Sequence, residues 1–416
     1  MNIKRIQLAN VRAFEQAEFE FTSGMNLLVG INGVGKTTVL DALRICLSKI
    51  LPEVTVSRSR PLAFTDDDIR VDSPAATVQL SFNLAAKPFE FLVHKQREAV
   101  VPHKPGEVRK QILDTPDKET CTPSLSAVGE ATRASDKQPI CVFFSTRRSL
   151  ASEVTPSSFS ASGGQAGAFT DALGNRELRL TEIALWMRAQ EALAKEEPLA
   201  AKHLAALHRA ARKFLPECRN LHVEKEPKIR LVVEKYKKSL DVRQLSDGER
   251  GSLALALDLA RRLSQANPGV SDPLKSGQAV VLIDELDLHL HPKWQREIVS
   301  RLTKTFPRCQ FIATTHSPQI LAAVEPEQVI LLTEAAVERA QQTLGMDSNW
   351  ILRYLMETDE RPEVASKVLR QVEEMIDKGT FSKARTAIAR AKKIGWDFPE
   401  WSVFEARMAR LEVLSR

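Results

Sequence analysis

Apolar and polar residues alternate along several stretches in the first hundred residues of the chain. Alternation with a period of two predicts strands that bury one face. Between two of these stretches a short apolar run leads into a glycine-rich turn, and residues 37–51 then carry apolar side chains at helical spacing. The pattern predicts strands at 2–9, 15–21, 25–29, 78–84 and 89–95.

The later part of the chain mixes helical spacing with short runs that are apolar at every position. Such runs are typical of strands buried on both faces, as in a parallel sheet. One further stretch, 221–236, alternates as a half-buried strand does. Buried strands are predicted at 140–144, 279–283, 310–314 and 329–332, and helices at 182–195, 199–214, 249–263, 292–305, 349–357, 361–378, 380–394 and 399–414.

Two segments follow neither period. Residues 102–138 are rich in Pro, Lys, Ser and Thr, which predicts an exposed loop. Residues 156–168, PSSFSASGGQAGA, are dominated by small residues and predict a flexible linker. Both segments are expected to connect packed elements rather than to contribute to a core.

The composition limits the class of protein. Hydrophobic residues make up 43% and charged residues 27%, as in a soluble globular protein. No run approaches the roughly 20 apolar residues that a membrane-spanning helix needs, and the N-terminus lacks the apolar core of a signal peptide. The five cysteines are far apart and follow no metal-ligand spacing. We therefore expect a cytoplasmic protein with reduced, mostly buried thiols and no membrane contact.

The net charge is +6, and most of the excess lies near the C-terminus. From Arg361 onward there are 12 Lys and Arg residues against 8 Asp and Glu residues. Such an excess permits a nucleic acid or an acidic protein as a partner. Solvated helix faces explain it equally well.

Residues 30–37 read GINGVGKT and fit the phosphate-loop pattern G-x-x-x-x-G-K-[ST]. The motif lies between a predicted strand and a predicted helix, which is the context it needs. Glycines let backbone N–H groups surround the phosphates, the lysine reaches the β and γ phosphates, and the hydroxyl of Thr37 binds Mg²⁺. The residues predicted to bind ATP here are Asn32, Gly33, Gly35, Lys36, Thr37 and Thr38.

The buried strand at 279–283 ends in two carboxylates, Asp284 and Glu285. Asp284 is predicted to hold Mg²⁺, and Glu285 to act as the general base for the attacking water. His316 follows the next predicted strand and is expected to contact the γ-phosphate. With the phosphate loop, these residues predict a site for ATP and Mg²⁺ that catalyses hydrolysis.

Asp287, His289 and His291 follow the acidic pair at alternate positions. The cluster raises the alternative of a zinc site, but no cysteine or further histidine completes a ligand set. The preferred interpretation is a loop that carries Asp287 across a subunit interface.

Residues 245–250, LSDGER, precede a predicted helix. Ser246, Asp247 and Gly248 form a small-residue helix start, which by itself would be an ordinary helix cap. In order with the phosphate loop, the acidic strand end and His316, however, the set resembles the ABC ATPase superfamily. That resemblance implies that the signature of one subunit contacts the γ-phosphate bound by the other, so two copies would close head to tail.

The signature departs from the usual LSGGQ, because Asp247 and Glu249 replace a glycine and the glutamine. In this respect the chain resembles the SMC, RecF and OLD branch of the superfamily. The opening LANVRAF is similar to the same branch, which implies a phosphate contact for Arg12. Arg147, after the strand at 140–144, faces either the site or the solvent.

Within that branch, an SMC or Rad50 protein would insert hundreds of heptad residues between the two halves, whereas here only about 100 residues separate Ser145 from the signature. No D-x-D pair follows His316, as an OLD-type nuclease domain would require. DELDLHLHP, TTHSP and the tail WILRYLMETDERPEV resemble the PtuA-type ATPases of Septu and retron-linked antiphage systems. The resemblance implies an HNH nuclease subunit (PtuB-like) as a separate partner. For a retron member it also implies a reverse transcriptase and its DNA–RNA hybrid product, so that nucleic acid is met through the complex.

The predicted fold is therefore an α/β ABC-type ATPase cassette with a helical signature subdomain and a C-terminal helical extension. The predicted segments are an N-terminal lobe (1–150), a linker and helical insert (151–240), a C-terminal lobe (241–333) and a partner-docking extension (334–416). The extension is predicted to dock its partner through an apolar stripe at helical spacing and a cluster of aromatic residues, namely Val364, Val368, Val372 and Met375, with Trp396, Phe398 and Trp401. The alternative is that the stripe packs only on neighbouring helices of the extension. The predicted function is the ATP-hydrolysing subunit of an antiphage nuclease complex. Two alternatives remain: a RecF-like or SMC-like DNA-repair ATPase that acts on DNA directly, and a non-hydrolysing scaffold assembled by ATP.

Overall fold

The computed structural model describes residues 1–97, 99–104, 107–111, 118–149, 164–175, 177, 179–226, 228–334, 336–358 and 361–414. Its strands are β1 (Asn2–Val11), β2 (Phe14–Glu20), β3 (Met25–Val29), β4 (Ala75–Leu84), β5 (Lys87–Gln96), β6 (Ala99–Lys104), β7 (Glu107–Gln111), β8 (Lys118–Cys121), β9 (Ile140–Phe144), β10 (Cys218–Glu224), β11 (Arg230–Lys235), β12 (Lys238–Asp241), β13 (Ala279–Ile283), β14 (Cys309–Thr314), β15 (Val329–Leu332) and β16 (Val337–Arg339).

The helices alternate with the strands through most of the chain and stand alone at its end. They are α1 (Lys36–Val54), α2 (Leu125–Arg133), α3 (Leu180–Leu193), α4 (Pro198–Phe214), α5 (Asp247–Ala266), α6 (Pro273–Ser276), α7 (Pro292–Thr305), α8 (Pro318–Leu321), α9 (Ser348–Tyr354), α10 (Glu363–Asp377), α11 (Phe381–Lys393) and α12 (Glu400–Leu414). Among the described residues, no helix is both long and apolar enough to cross a membrane.

A six-stranded sheet in the order β16-β15-β3-β14-β13-β9 forms the centre of the cassette. All neighbouring pairs are parallel except β15 with β16. Every residue of β3, β9, β13 and β14 is buried, as expected for strands covered on both faces. The prediction of an α/β ABC-type cassette is confirmed.

A second sheet, in the order β2-β1-β4-β5-β8, is antiparallel. Its strand β4 alternates buried and half-buried residues, so the predicted hairpin at 78–95 is confirmed. Helix α1 contacts strands of both sheets. The buried Gln310 also joins them, because its Oε1 accepts a hydrogen bond from Ile3 N at 2.7 Å and its Nε2 donates to Ile3 O at 2.8 Å.

A helical region and a small sheet precede the signature helix α5. Helices α3 and α4 pack on each other and on α5, whose residues are buried on nearly every side. The strand alternation predicted at 221–236 is confirmed, and it belongs to two separate strands, β10 and β11, of the antiparallel sheet β10-β11-β12. A reversal of the chain inside a stretch of constant alternation leaves no break in the hydrophobic pattern.

The prediction of a loop at 102–138 was wrong for most of the residues that the structure describes there, and 105–106 and 112–117 lie outside the described residues. Strands β6 and β7 pair with each other, β8 extends the second sheet, and α2 packs on α1. Backbone pairing needs no regular hydrophobic alternation. Helix α2 buries only Leu125 and Gly129, and a Cβ on Gly129 would lie 2.3 Å from the carbonyl oxygen of Glu53. Of the predicted linker, 156–163 lie outside the described residues, whereas 165–168 form a short 3₁₀ helix.

Internal contacts divide the chain into residues 1–351, called the cassette below, and residues 352–416, called the C-terminal unit. In the C-terminal unit α10, α11 and α12 surround an apolar core. Three residues of the predicted docking stripe, Val368, Val372 and Met375, pack into this core. Trp401 lies in this core, and Trp396 and Phe398 pack against it and on one another. Of the residues predicted to dock a partner, only Val364 is exposed.

Candidate nucleotide site

The phosphate loop leaves the buried strand β3 and enters α1 at Lys36. Its residue Gly35 has φ +105°, and a Cβ there would lie 2.5 Å from the ring of Phe14. Only glycine fits both restraints. No side chain caps the start of α1, so the first N–H groups of the helix are left available for an anion.

Lys36 is 7% exposed, and its Nζ donates hydrogen bonds to the carbonyls of Gly30 at 2.9 Å and Ile31 at 2.8 Å. Burial lowers the pKa of Lys36, and the negative charges of Asp284 and Glu285 act against this shift. Asn32 and Gly33 are exposed at the tip of the loop, Thr37 is exposed at the helix start, and Thr38 is buried behind it.

Asp284 and Glu285 follow β13, which is separated from β3 only by β14. The hydroxyl of Thr314, at the end of β14, donates to Asp284 Oδ1 at 2.7 Å and accepts from the backbone N of Glu285 at 2.7 Å. Glu285 has φ +49°, an unusual conformation for a non-glycine residue. Strand order thus brings the acidic pair to the same sheet edge as the phosphate loop.

Arg148 is a residue of this site that sequence reasoning missed. It is 7% exposed and donates hydrogen bonds to the backbone carbonyls of both Asp284 and Glu285. Burial lowers the pKa of Arg148 to about 10, against the raising effect of the nearby carboxylates, so the guanidinium remains charged at neutral pH. Arg147, which the sequence singled out instead, is exposed.

The sequence shows two adjacent arginines after β9, and the 3₁₀ turn Thr146–Ser149 determines which of them points inward. The signal that could have found Arg148 was the basic pair itself, directly after a buried strand.

His316 follows β14 and is half-buried. Burial lowers its pKa, and the positive charge of Lys36 lowers it further, while Asp287, Glu285 and Asp284 act in the opposite direction. The imidazole is therefore neutral at pH 7. Asp287 Oδ1 accepts hydrogen bonds from Thr315 Oγ1 at 2.6 Å and His316 N at 3.1 Å, so this carboxylate positions the histidine within its own chain.

The Asp and His cluster does not form a metal-ligand set. Within the described parts of the chain, no group of three or more His, Cys, Asp or Glu side chains is placed to hold an ion. His291 Nδ1 instead accepts the backbone N of Lys293 at 3.3 Å and caps α7, and His289 is exposed.

Arg12 lies in the turn between β1 and β2 with φ +47°. Its guanidinium forms ion pairs with Asp41 at 2.9 Å and Asp68 at 2.7 Å. Asp41 belongs to α1, so Arg12 is attached to the helix that the phosphate loop opens. A phosphate contact by Arg12 would therefore form in addition to its ion pairs with Asp41 and Asp68 or would replace one of them.

The signature lies on other elements. Ser246 is exposed and caps α5, with its Oγ accepting from Glu249 N at 3.4 Å, and the Glu249 carboxylate also pairs with Lys235 of β11. A Cβ on Gly248 would lie 2.3 Å from the carbonyl oxygen of His289. Glycine is therefore required where the signature packs on the loop that follows the acidic pair.

The residues at the sheet edge fit ATP and Mg²⁺. The uncapped start of α1 and the Lys36 ammonium provide N–H donors and positive charge for phosphates, and the exposed hydroxyl of Thr37 and the carboxylate of Asp284 are hard oxygen ligands. The signature serine faces solvent at a separate helix start, where a second chain can reach it.

Two family models match the chain. Residues 1–103 match an AAA ATPase domain, and residues 165–322 match an AAA domain described as a putative AbiEii toxin of a type IV toxin–antitoxin system. The first match contains the phosphate loop and the second contains the signature, the acidic pair and His316.

Three relatives carry names of defence-system ATPases or proteins. The chain is 41% identical to the retron Ec83 probable ATPase of Escherichia coli over 197 residues, which cover 47% of this chain and 35% of the relative. It is 24% identical to the retron Vc95 probable ATPase of Vibrio cholerae, covering 91% of this chain and 85% of the relative. It is 40% identical to the Septu protein PtuA of Bacillus mycoides over 25% of this chain and 14% of the relative. The chain is thus similar to the PtuA-type ATPases of the retron and Septu group, and the matched stretch spans less than two thirds of the length of two of these three relatives.

Proposed function

We propose that the chain is the ATP-binding and ATP-hydrolysing subunit of an antiphage defence complex, in which two copies close head to tail over two nucleotides and control an HNH nuclease partner in the cytoplasm. One observation carries the proposal. The ends of three adjacent parallel strands, β3, β14 and β13, bring the phosphate loop, His316 and the acidic pair to one sheet edge.

Each side chain at this edge has a distinct task in the proposed reaction. Lys36 releases the loop carbonyls and neutralises the β and γ phosphates, and the N–H groups of the α1 start hold them. Thr37 and Asp284 would hold Mg²⁺, which offsets the charge that develops on the phosphates. Glu285 accepts the proton of the attacking water, and neutral His316 contacts the γ-phosphate.

The position of Ser246 supports a composite site. The serine is exposed, and the neighbouring signature residues Glu249 and Gly248 contact Lys235 and the His289 carbonyl of the same chain. We infer that Ser246, Gly248 and Glu249 act on the nucleotide held by the other copy. The defence role rests on the retron and Septu names of the relatives. The nuclease subunit and the reverse transcriptase with its DNA–RNA product rest on the resemblance in sequence motifs alone.

The hydrolysis test compares Glu285→Gln with Glu297→Gln, a surface substitution on α7. Glu285→Gln should bind ATP with unchanged affinity and lose at least about 99% of turnover, because an amide cannot accept the proton. Glu297→Gln should behave as the unaltered chain. Equal turnover in all three proteins would remove Glu285 as the base, and absent turnover in the unaltered chain would favour the ATP-gated scaffold.

The assembly test compares Ser246→Arg with Ser239→Arg, an exposed serine of β12. Arginine at position 246 should block ATP-dependent dimers in light scattering while each chain still binds ATP. Ser239→Arg should leave dimers unaffected. Normal dimers of the Ser246 variant would refute a signature that acts across subunits.

We also propose that the C-terminal unit docks the nuclease subunit, using apolar side chains that its own core leaves exposed, such as Val364 and Val403. Deleting residues 352–416 should preserve ATP binding and abolish co-purification of the nuclease. Retained co-purification would place the docking surface elsewhere, such as the segment 102–138 or the helices α3 and α4.

A further inference from the structure

The three helices of the C-terminal unit differ sharply in charge. Helix α11 carries five Lys and Arg residues and no Asp or Glu. Helix α10 carries two basic and four acidic residues, and α12 two basic and three acidic residues. The positive excess of the three helices is therefore confined to α11.

The five cations of α11 fall into two groups. Arg385 and Lys392 form ion pairs with Glu412 and Glu405 of α12, at 2.7 and 3.0 Å, and hold the two helices together. Lys383, Arg390 and Lys393 are exposed and, among the described residues, have no ion pair or side-chain hydrogen bond. Packing of the unit explains the first group and leaves the second without a structural role.

The three unpaired cations lie on one side of α11, at spacings of seven and three residues. The opposite side of the helix is buried through Ala384, Ile388 and Ala391. Along the axis the cations span about 15 Å, since each residue rises by about 1.5 Å. We call Lys383, Arg390 and Lys393 the α11 basic face.

We propose that the α11 basic face binds the sugar-phosphate backbone of a nucleic acid, without regard to sequence. Contacts to a phosphate backbone come from Lys, Arg and small hydroxyl side chains, whereas protein interfaces rely on aromatic and large apolar anchors. The other exposed residues on this side are small, namely Ser382, Thr386 and Ala389. The hydroxyl of Thr386 already donates to the Ser382 carbonyl, so the three cations are the main donors toward a phosphate.

An acidic protein is the alternative partner, and the side chain of Ile394 distinguishes it from a nucleic acid. This residue is 64% exposed directly after the end of α11. A protein partner would bury Ile394 as an apolar anchor beside the cations, whereas a phosphate backbone offers no apolar surface for this side chain to pack on. Ile394→Ala should therefore weaken a protein complex and leave nucleic-acid binding unchanged.

The experiment measures DNA binding by the full chain in the absence of nucleotide. It is repeated in a chain that carries Lys36→Ala, because DNA binding by the α11 basic face should not depend on the ATP site. Labelled duplex DNA of about 30 base pairs, single-stranded DNA of the same length and polyglutamate serve as probes. The test variant combines Lys383→Gln, Arg390→Gln and Lys393→Gln. The control removes the same charge elsewhere on the unit, through Lys367→Gln, Arg370→Gln and Arg410→Gln.

Binding is measured by fluorescence anisotropy at several salt concentrations. The test variant should lose at least about tenfold in DNA affinity at low salt, and the slope of log affinity against log salt should fall by about 2.7 for duplex DNA, at roughly 0.9 per lost phosphate contact. The control and Ile394→Ala should stay within about twofold of the unaltered chain.

Equal DNA affinity and slope in the test variant and the control would overturn the proposal. Preferential binding of polyglutamate that depends on both the basic face and Ile394 would also overturn it and identify an acidic protein as the partner. Thermal unfolding of each variant shows that the chain remains folded.

Discussion

The cassette and the C-terminal unit differ in where their charged side chains lie. The cassette buries them: Lys36 and Arg148 lie under the proposed nucleotide site, and Arg262 lies wholly inside the protein. In the C-terminal unit the described core is entirely apolar, and ion pairs such as Lys367 with Glu363 lie at the surface. We therefore expect the loss of a single charge to destabilise the cassette more than the C-terminal unit.

The physical reason is desolvation. A charge removed from water is stable only with its partner, so losing one partner costs several kcal/mol. An exposed pair exchanges contacts with water and contributes little. Removal of one member of an ion pair should therefore lower the free energy of unfolding by about ten times more in the cassette than in the C-terminal unit.

The largest effect is expected at Asp258 in α5. This carboxylate is 3% exposed and accepts hydrogen bonds from Arg261 at 2.6 Å and Arg262 at 2.8 Å. Asp258→Asn leaves two buried guanidinium groups without their main counter-charge and should lower the free energy of unfolding of the cassette by about 3–5 kcal/mol. Calorimetry of the cassette transition measures the change, and a loss below about 1 kcal/mol would contradict the comparison.

Lys36→Ala should weaken ATP binding by about 100-fold, equivalent to about 3 kcal/mol, because charged hydrogen bonds to the phosphates are lost. Titration calorimetry measures the affinity. Lys49→Ala is the matched control, since Lys49 lies on the same helix and pairs with Glu119 at the surface. Similar ATP affinities of the two variants would exclude the phosphate-loop role of Lys36.

Arg148→Lys keeps the charge but removes the forked geometry that reaches the carbonyls of both Asp284 and Glu285. We expect ATP affinity within about twofold of normal and turnover reduced about tenfold to 100-fold, as one or two charged hydrogen bonds are lost. Arg147→Lys, on the exposed neighbour, should leave both quantities unchanged. A fall in affinity without a fall in turnover would show that Arg148 does not position the acidic pair.

The smallest effect is expected for Glu363→Gln in the C-terminal unit. Its pair with Lys367 is about two-thirds exposed on each side, at 63% and 72%. Loss of an exposed helical pair should lower the stability of this unit by about 0.3–0.5 kcal/mol. A loss above about 1.5 kcal/mol, measured by urea denaturation of the full chain, would show that surface pairs in this unit carry more of its stability than proposed.

Hydrophobic pattern by itself determined most of the fold. Mostly apolar runs identified β3, β9, β13 and β14, because a strand covered on both faces is buried at every position and carries few polar residues. Period-two and helical spacing identified the antiparallel hairpins and the C-terminal helices. Strands β6 to β8, which are formed by backbone pairing, and the short helix α2, which buries only Leu125 and Gly129, have no such pattern and were missed.

Sequence motifs also predicted most residues of the proposed site, because a phosphate loop and an acidic strand end each require particular residue types at fixed spacing. Only the tertiary structure decided how they are held. The order of β3, β14 and β13 places them at one edge, Thr314 and Arg148 fix the acidic pair, and Asp41 and Asp68 engage Arg12. These contacts join residues far apart in the chain, and local pattern carries no information about which distant groups the fold brings together.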